Sequence, residues 1–188
     1  TGWPTIYGLI RGLQVEVGIT DLVDSFGPTT AIKYDQFVTS NWGRNLGENF
    51  VYLIQGAFWC KGINPSYFNG VFSIELEDAV RELKSDAGFS NPNGILDSLW
   101  AKALFDMSAF VLVSGGDKKI RKMQQWMNVT YTSYTGIMPC DGIYQRDTNT
   151  SLIFALQSEL GYDEDTATGS IGPGTTSAIY SVSEGATG

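Results

Sequence analysis

Apolar positions recur along this chain at helical spacing, in separate blocks. Between residues 74 and 87, Leu76, Ala79, Val80, Leu83 and Ala87 follow i, i+3, i+4, i+7 and i+11, which predicts an amphipathic helix with one buried face. Ser73 is placed to cap it, Glu75, Glu77 and Asp78 suit the positive end of its dipole, Glu77 can pair with Arg81, and Gly88 supplies a left-handed stop. Ile6, Leu9, Ile10, Leu13 and Val17 make the same stripe before Gly18, and residues 50–61 form an apolar helix before Gly62. The two stretches align, with Ile10, Gly12, Gly18 and Ile19 over Ile54, Gly56, Gly62 and Ile63. Pro28, in FGPTT at 26–30, sits at a first helical position. A further helix is expected over 98–107, with Trp100, Ala103, Leu104 and Met107 on one face and Asp97 as its cap. Ser-Gly-Gly at 114–116 breaks the pattern, Asp117 opens the next helix, and VTYTSYTGIMPC at 129–140 reads as a long loop. Leu152, Ala155, Leu156 and Leu160 mark another helix that stops at Gly161, and a short final helix opens near Pro173. Only FVLVS at 110–114 alternates, and it reads as a helix end or linker.

Two of these blocks repeat one scheme. Residues 69–89 and 140–161 each run from a turn pair (Asn69-Gly70, Asp141-Gly142) through an aromatic (Phe72, Tyr144) to a polar helix start, an amphipathic run and a glycine stop. Units this small bury their surface poorly alone, so they predict several small cores in contact. The expected fold is all-α: tandem small three-helix bundles, with a partial module at 1–45, complete modules at 46–113 and 117–182, and a flexible tail at 183–188.

Composition narrows the chemistry. With 188 residues, 43% hydrophobic and 17% charged, the chain has the apolar material to fold. The absence of histidine excludes a Ser-His-Asp triad, a Cys-His pair and His-ligated zinc, and leaves carboxylate pairs; no metal and no cofactor is expected. A net charge of −8 provides no basic stripe for a phosphate backbone, so nucleic acid is not an expected partner. The same sign repels anionic membranes and wall polyanions, so a surface ligand has to be held by hydrogen bonds and apolar contacts. Cys60 and Cys140 fit neither a disulfide framework nor a metal motif; Cys60, on an apolar helix, is expected to be a buried structural thiol, and Cys140 is left open. No apolar run approaches the roughly 18 residues of a membrane span. TGWPTIYGL at the N-terminus has neither an initiator methionine nor a signal pattern and reads as the start of a fragment.

These units resemble the three-helix peptidoglycan-binding domain family that is appended to cell-wall hydrolases. The third unit matches it through Gln124, Asn128, Asp141, Gly142, Tyr144, Gly161, Gly172, Pro173 and Thr175. The second matches through Gln55, Ala57, Gly62, Asn69, Gly70, Phe72, Gly88, Phe89, Asn93, Gly94, Trp100, Ala103 and Leu104, with Asn in place of Asp in both turns. The first is partial, through Phe26, Gly27, Pro28 and Thr29. The resemblance implies a non-catalytic region that binds peptidoglycan, through glycan strands or stem peptides, and targets a lytic enzyme by multivalent weak contacts. It also implies a covalently attached catalytic domain elsewhere in the parent chain and an extracellular or cell-wall location, of bacterial or phage origin.

Asn69-Gly70 and Asp141-Gly142 serve as turns whatever else they do, and they can also present backbone N–H groups to a ligand. Around them cluster Tyr67, Phe68, Phe72, Tyr131, Tyr134, Tyr144 and Tyr162, rings that can stack on sugars or pack in a core. Phe72 and Tyr144 are the first to assign to the core, and Tyr67 and Tyr134 to the surface. Arg146 is either a surface cation at a helix start or a partner for a stem-peptide carboxylate. Trp59, Trp100 and Trp126 are assigned to packing between helices, and Trp3 and Trp42 to seating one module on the next. The candidate ligand set is Tyr67, Phe68, Asn69, Gly70, Tyr134, Asp141, Gly142, Tyr144, Arg146 and Tyr162. Two other readings stand beside binding: a carboxylate-dependent glycosidase using Glu48, Asp78 or Glu159, and a structural protein-interaction array.

Overall fold

The computed structural model describes residues 1–185, and among these all regular structure is helical. Eight helices follow in order: α1 (Trp3–Glu16), α2 (Pro28–Asn41), α3 (Glu48–Lys61), α4 (Ile74–Asp86), α5 (Ser98–Leu104), α6 (Lys118–Thr135), α7 (Arg146–Glu159) and α8 (Pro173–Gly185). The all-α expectation holds. Residues 183–185, expected in a tail, belong to α8, and 186–188 lie outside the described residues.

The chain forms two compact units, Thr1–Phe110 and a second beginning at Val111. In the first, α1 packs on α3, while α5 packs on both α2 and α3. The segments expected as a partial module and a second module therefore share one core. Tyr34 of α2 shows how they join. It is fully buried, lies stacked 5.7 Å from Phe50 of α3, meets Phe26 edge-on and donates a hydrogen bond to the Leu96 carbonyl at 2.9 Å. Asp35, beside it, accepts from the Ser98 N–H at the start of α5. Two helices alone have too little apolar surface to close a core, and α1 and α2 complete theirs with α3 and α5.

In the second unit α6 packs on α7 around Met127, Tyr131, Met138 and Ala155. Here helix extends into the expected loop, because α6 runs through VTYTSYT to Thr135. The helix bends at Tyr131 (φ −122°, ψ 26°), next to hydroxyls of Thr132 and Thr135 that bond back to the carbonyls of Asn128 and Tyr131. Asn128 then pins the rest of the loop, accepting from the Met138 N–H at 2.8 Å and donating to its carbonyl at 3.0 Å.

Other local expectations divide. Asp97 caps α5 through the Trp100 N–H, and Asp117 caps α6 through Lys119 and Ile120. Ser73 stands at the N-cap of α4 without a side-chain cap bond. Glu77 pairs with Arg81 at 2.8 Å. Cys60, expected to be buried, is only partly so, while Cys140, left open by the sequence, is fully buried. Trp100 packs inside, but Trp59 and Trp126 are half exposed, since α3 and α6 carry aromatics on the face away from the core. Met107 lies beyond the end of α5 and is exposed. Trp3 is in α1 and exposed, while Trp42 meets Phe72 edge-on at 5.3 Å.

Burial first, then Asp97 and Asp35, push the Tyr34 phenol well above its ordinary 10.0. A raised folded value means that the stability it contributes is complete below about pH 10 and is lost as pH climbs toward the folded value. Tyr34→Phe is expected to cost about 1–2 kcal/mol at neutral pH, by stranding the Leu96 carbonyl, and to flatten the alkaline loss of stability. Urea unfolding at neutral pH and above pH 10 checks both; a variant matching the parent at both values would count against this role.

Candidate functional site

The turns that follow the helices are fastened from below by buried polar side chains. Gln14 of α1, Gln55 of α3, Gln124 of α6 and Gln157 of α7 are essentially inaccessible. Each donates from Nε2 to the carbonyl of the third turn residue: Ser25, Val71, Ile143 and Ser170. Each accepts at Oε1 from N–H groups at the start of the turn: Val23, Asn69 with Gly70, Gly142, and Thr168 with Gly169. In α1, α6 and α7 the same Nε2 also reaches the threonine third in the next helix, Thr30, Thr148 or Thr175. Lys84 of α4 takes the fifth place, donating to Asn93 Oδ1 at 2.8 Å and the Ile95 carbonyl at 2.7 Å. Burial pulls its pKa down, opposed by Asp97.

The α3–α4 loop is where this fastening creates an accessible surface. Glu48, Tyr52, Gln55, Gly56 and Trp59 fall along one side of α3 at helical spacing. Gln55 holds Asn69 and Gly70 down onto that side. Gly70 has φ 67°, and a Cβ there would stand 2.5 Å from Glu48 Cγ and 2.7 Å from Tyr52 Cε2, so the turn approaches α3 more closely than a side chain allows. Upstream, Ser66 has φ 75°, a strained value for serine, and Tyr67 beyond it is 66% exposed. Phe68 lies between Tyr52 and Trp59, 4.8 Å and 4.9 Å from their centroids, and is half exposed.

Two concavities open beside this loop. One, of about 400 Å³, lies along α1 and α3 and is lined by Leu9, Gly12, Val15, Tyr52, Leu53 and Phe68 among others. It is largely apolar and edged by the half-exposed Phe68 ring. The other, of about 660 Å³, is mixed in character, with Arg44, Glu48, Asn69 and Gly70 beside Leu46, Val71 and Phe72.

The candidate residues thus separate by unit. Tyr67, Phe68, Asn69 and Gly70 gather at one loop of the first. In the second, the Tyr134 hydroxyl donates to the Tyr162 carbonyl at 3.0 Å, leaving both rings partly buried, so Tyr134 is not the free surface ring expected. Asp141-Gly142 is engaged on both sides, by Gln124 and by the Val113 and Asp117 N–H groups that donate to its carbonyls. Val113, from the stretch expected as a helix end or linker, thus belongs with Asp117 to a strap along this turn. Tyr144 is 53% exposed with its hydroxyl on Asn149, which corrects its assignment to the core; Phe72 is partly buried. Tyr131, grouped with the loop aromatics, is buried and donates to Glu159 at 2.9 Å. Arg146 is exposed at the start of α7.

Arg44, Tyr52 and Trp59 were not in the candidate set. The stretch ENFVYLIQGAFWC is apolar on more than one face, and its second stripe was the available signal. Gln157 and Lys84 were also legible, since QVEVGI, KSDAGF and QSELGY each place the fastening residue four before a glycine stop.

Fold and site together define an all-helical protein of polar-fastened helix pairs, one loop of which opens onto an aromatic groove. Residues 113–188, which contain the third expected module at 117–182, match the family model described as FadG/YbfG, PGDB-like domain, a peptidoglycan-binding-like family. The chain is 49% identical over 185 residues to the uncharacterized protein YbfG of Bacillus subtilis (strain 168), an alignment covering 98% of this chain and 25% of that protein. It is 41% identical over 177 residues to the uncharacterized protein FadG of the same organism, covering 93% and 31%. The chain spans less than a third of the length of either relative. No solved structure matches it.

Gln55→Leu strands two N–H groups and a carbonyl of the α3–α4 turn and is expected to cost about 2–4 kcal/mol, with faster amide exchange at residues 69–71. Lys84→Gln restores the amide used at the other four turns and should change stability by less than about 1 kcal/mol, whereas Lys84→Met should cost about 2–3 kcal/mol. Denaturant titration ranks the three; equal losses for Gln and Met at position 84 would contradict the equivalence of the five turns.

Proposed function

We propose that this chain is a non-catalytic peptidoglycan-binding region of a longer extracellular, wall-associated protein, which it holds to the bacterial wall through several weak contacts. The observation that carries the reading is the ring cluster of Tyr52, Phe68 and Trp59, the last two half exposed, beside an apolar groove of an acidic protein. Flat rings beside apolar surface suit the C–H faces of sugars, and a neutral polymer escapes the repulsion that a polyanion meets here. The PGDB-like match of residues 113–188 supports the same class of ligand. The carboxylates considered for glycosidase chemistry have structural partners in two cases: Asp78 pairs with Arg81, and Glu159 accepts from Tyr131.

A site of about millimolar strength supplies roughly 4 kcal/mol. Two such sites on one chain, meeting a repeating polymer, can raise avidity by about 10² to 10⁴. Weak sites are then sufficient for a targeting role, and attachment to a lytic enzyme would give that role its use.

Sedimentation with purified sacculi tests the reading. The chain is expected to pellet at low and moderate salt, and Trp59→Ala with Phe68→Ala to weaken binding about tenfold or more, roughly 1.4 kcal/mol, with helicity by circular dichroism unchanged. A chain that stays in the supernatant under both salt conditions overturns it.

A further inference from the structure

The larger cavity beside the α3–α4 turn carries charged groups, which the rings of the apolar groove lack. Arg44, before α3, and Glu48, in its first turn, both line the cavity and both are exposed. Among the described residues neither takes part in an ion pair, with each other or with anything else. A guanidinium and a carboxylate that face one space without neutralising each other leave both charges for a ligand.

The turn adds a donor. Asn69 Oδ1 is committed, accepting from Gln55 Nε2 and the Val71 N–H. Its Nδ2 donates to nothing among the described residues, and Asn69 is exposed and lines the cavity. The corresponding residue of the second unit is Asp141, whose Oδ1 is committed to the same two bonds and which has no side-chain donor to offer. The Asn-for-Asp departure thus changes what the turn presents, from an anionic acceptor to an N–H. A second uncommitted donor lies nearby: Trp42 Nε1 is buried without a partner, and its ring packs on Phe72, which lines the cavity.

We propose that this cavity binds a zwitterionic peptide segment, its carboxylate held by Arg44 with Asn69 Nδ2 and its ammonium by Glu48. As the peptide part of a wall polymer, this assignment rests on the peptidoglycan reading; the charge pattern of the cavity stands by itself. A ligand with both charges is neutral overall and meets no net repulsion from a chain of charge −8. Each single charge would gain one partner and lose the other.

The test uses the full chain and alanylalanine as probe, beside its N-acetylated and its C-amidated forms, in an ¹⁵N-resolved NMR titration. Shifts are expected at the Gly70 amide, the Asn69 side chain and the Trp42 indole, with millimolar affinity for the free dipeptide and about tenfold weaker binding of either capped form. Arg44→Ala should abolish the preference over the C-amide, and Glu48→Gln the preference over the N-acetyl form. Equal binding of all three probes, shifts confined to other residues, or charge variants that keep both preferences overturn the proposal. Sacculus sedimentation separates the two readings. A chain that pellets but ignores the dipeptide sinks this assignment alone, and one that binds the dipeptide at the cavity but fails to pellet supports it while sinking the wall reading.

Discussion

A primary amide donates at one end and accepts at the other, and a turn leaving a helix has both kinds of backbone group to satisfy. Glutamine buried under such a turn meets both needs from one side chain. In this protein that arrangement recurs under the turns after α1, α3, α6 and α7, with lysine under the turn after α4. The bonds are formed away from water, where an unmade one costs more than a made one returns. Each turn is thereby held to one geometry, and the next helix starts where the turn releases it. Three of the next helices complete the arrangement with their own threonine hydroxyl.

The same fastening decides which turns can do anything else. Asp141-Gly142 is bonded by Gln124 beneath and by the 113–117 strap alongside, so both its carbonyls and the Gly142 N–H are spent on the fold. Asn69-Gly70 is bonded by Gln55 and leaves its outer side to solvent, between rings of α3 and a pair of unmatched charges. A loop held rigid by a buried side chain keeps its exposed groups in place before a ligand arrives, which lowers the ordering cost of binding. That is the physical ground on which the proposed aromatic and zwitterionic contacts rest.

Lysine at position 84 shows how far the arrangement can be varied. Its ammonium supplies the donor half of the amide's role and is oriented over Trp100 at 5.4 Å. It has no acceptor for the turn's N–H groups; the bond from the Ile95 N–H to Asn93 is the one that Asn69 and Asp141 also accept in their own turns. Desolvation of the cation is the counterweight, visible in its lowered pKa. Asp97, whose charge opposes that shift, also caps α5.

Much of this was legible one residue at a time. The 3.6-residue stripes located α1, α3, α4 and α7, because a helix packed on one side must repeat its apolar positions; Gly18, Gly62, Gly88 and Gly161 marked the stops, because only glycine turns left-handed without strain. The extension of α6 escaped notice, since a run of threonine and tyrosine has weak helix propensity and is carried by packing and by hydroxyls bonding back to the helix. Burial on the second face of α3 was undecided by the same logic: a stripe that is apolar all round does not say which side meets a neighbour. The sequence by itself determined most of the helices, their glycine stops and the Asx-Gly turns, all of which depend on neighbours within a few positions. Tertiary structure alone decided that 1–45 and 46–110 share a core, that Asp141-Gly142 is spent while Asn69-Gly70 stays accessible, and that Arg44 and Glu48 face one cavity, because each depends on groups distant along the chain competing for the same space and the same hydrogen bonds.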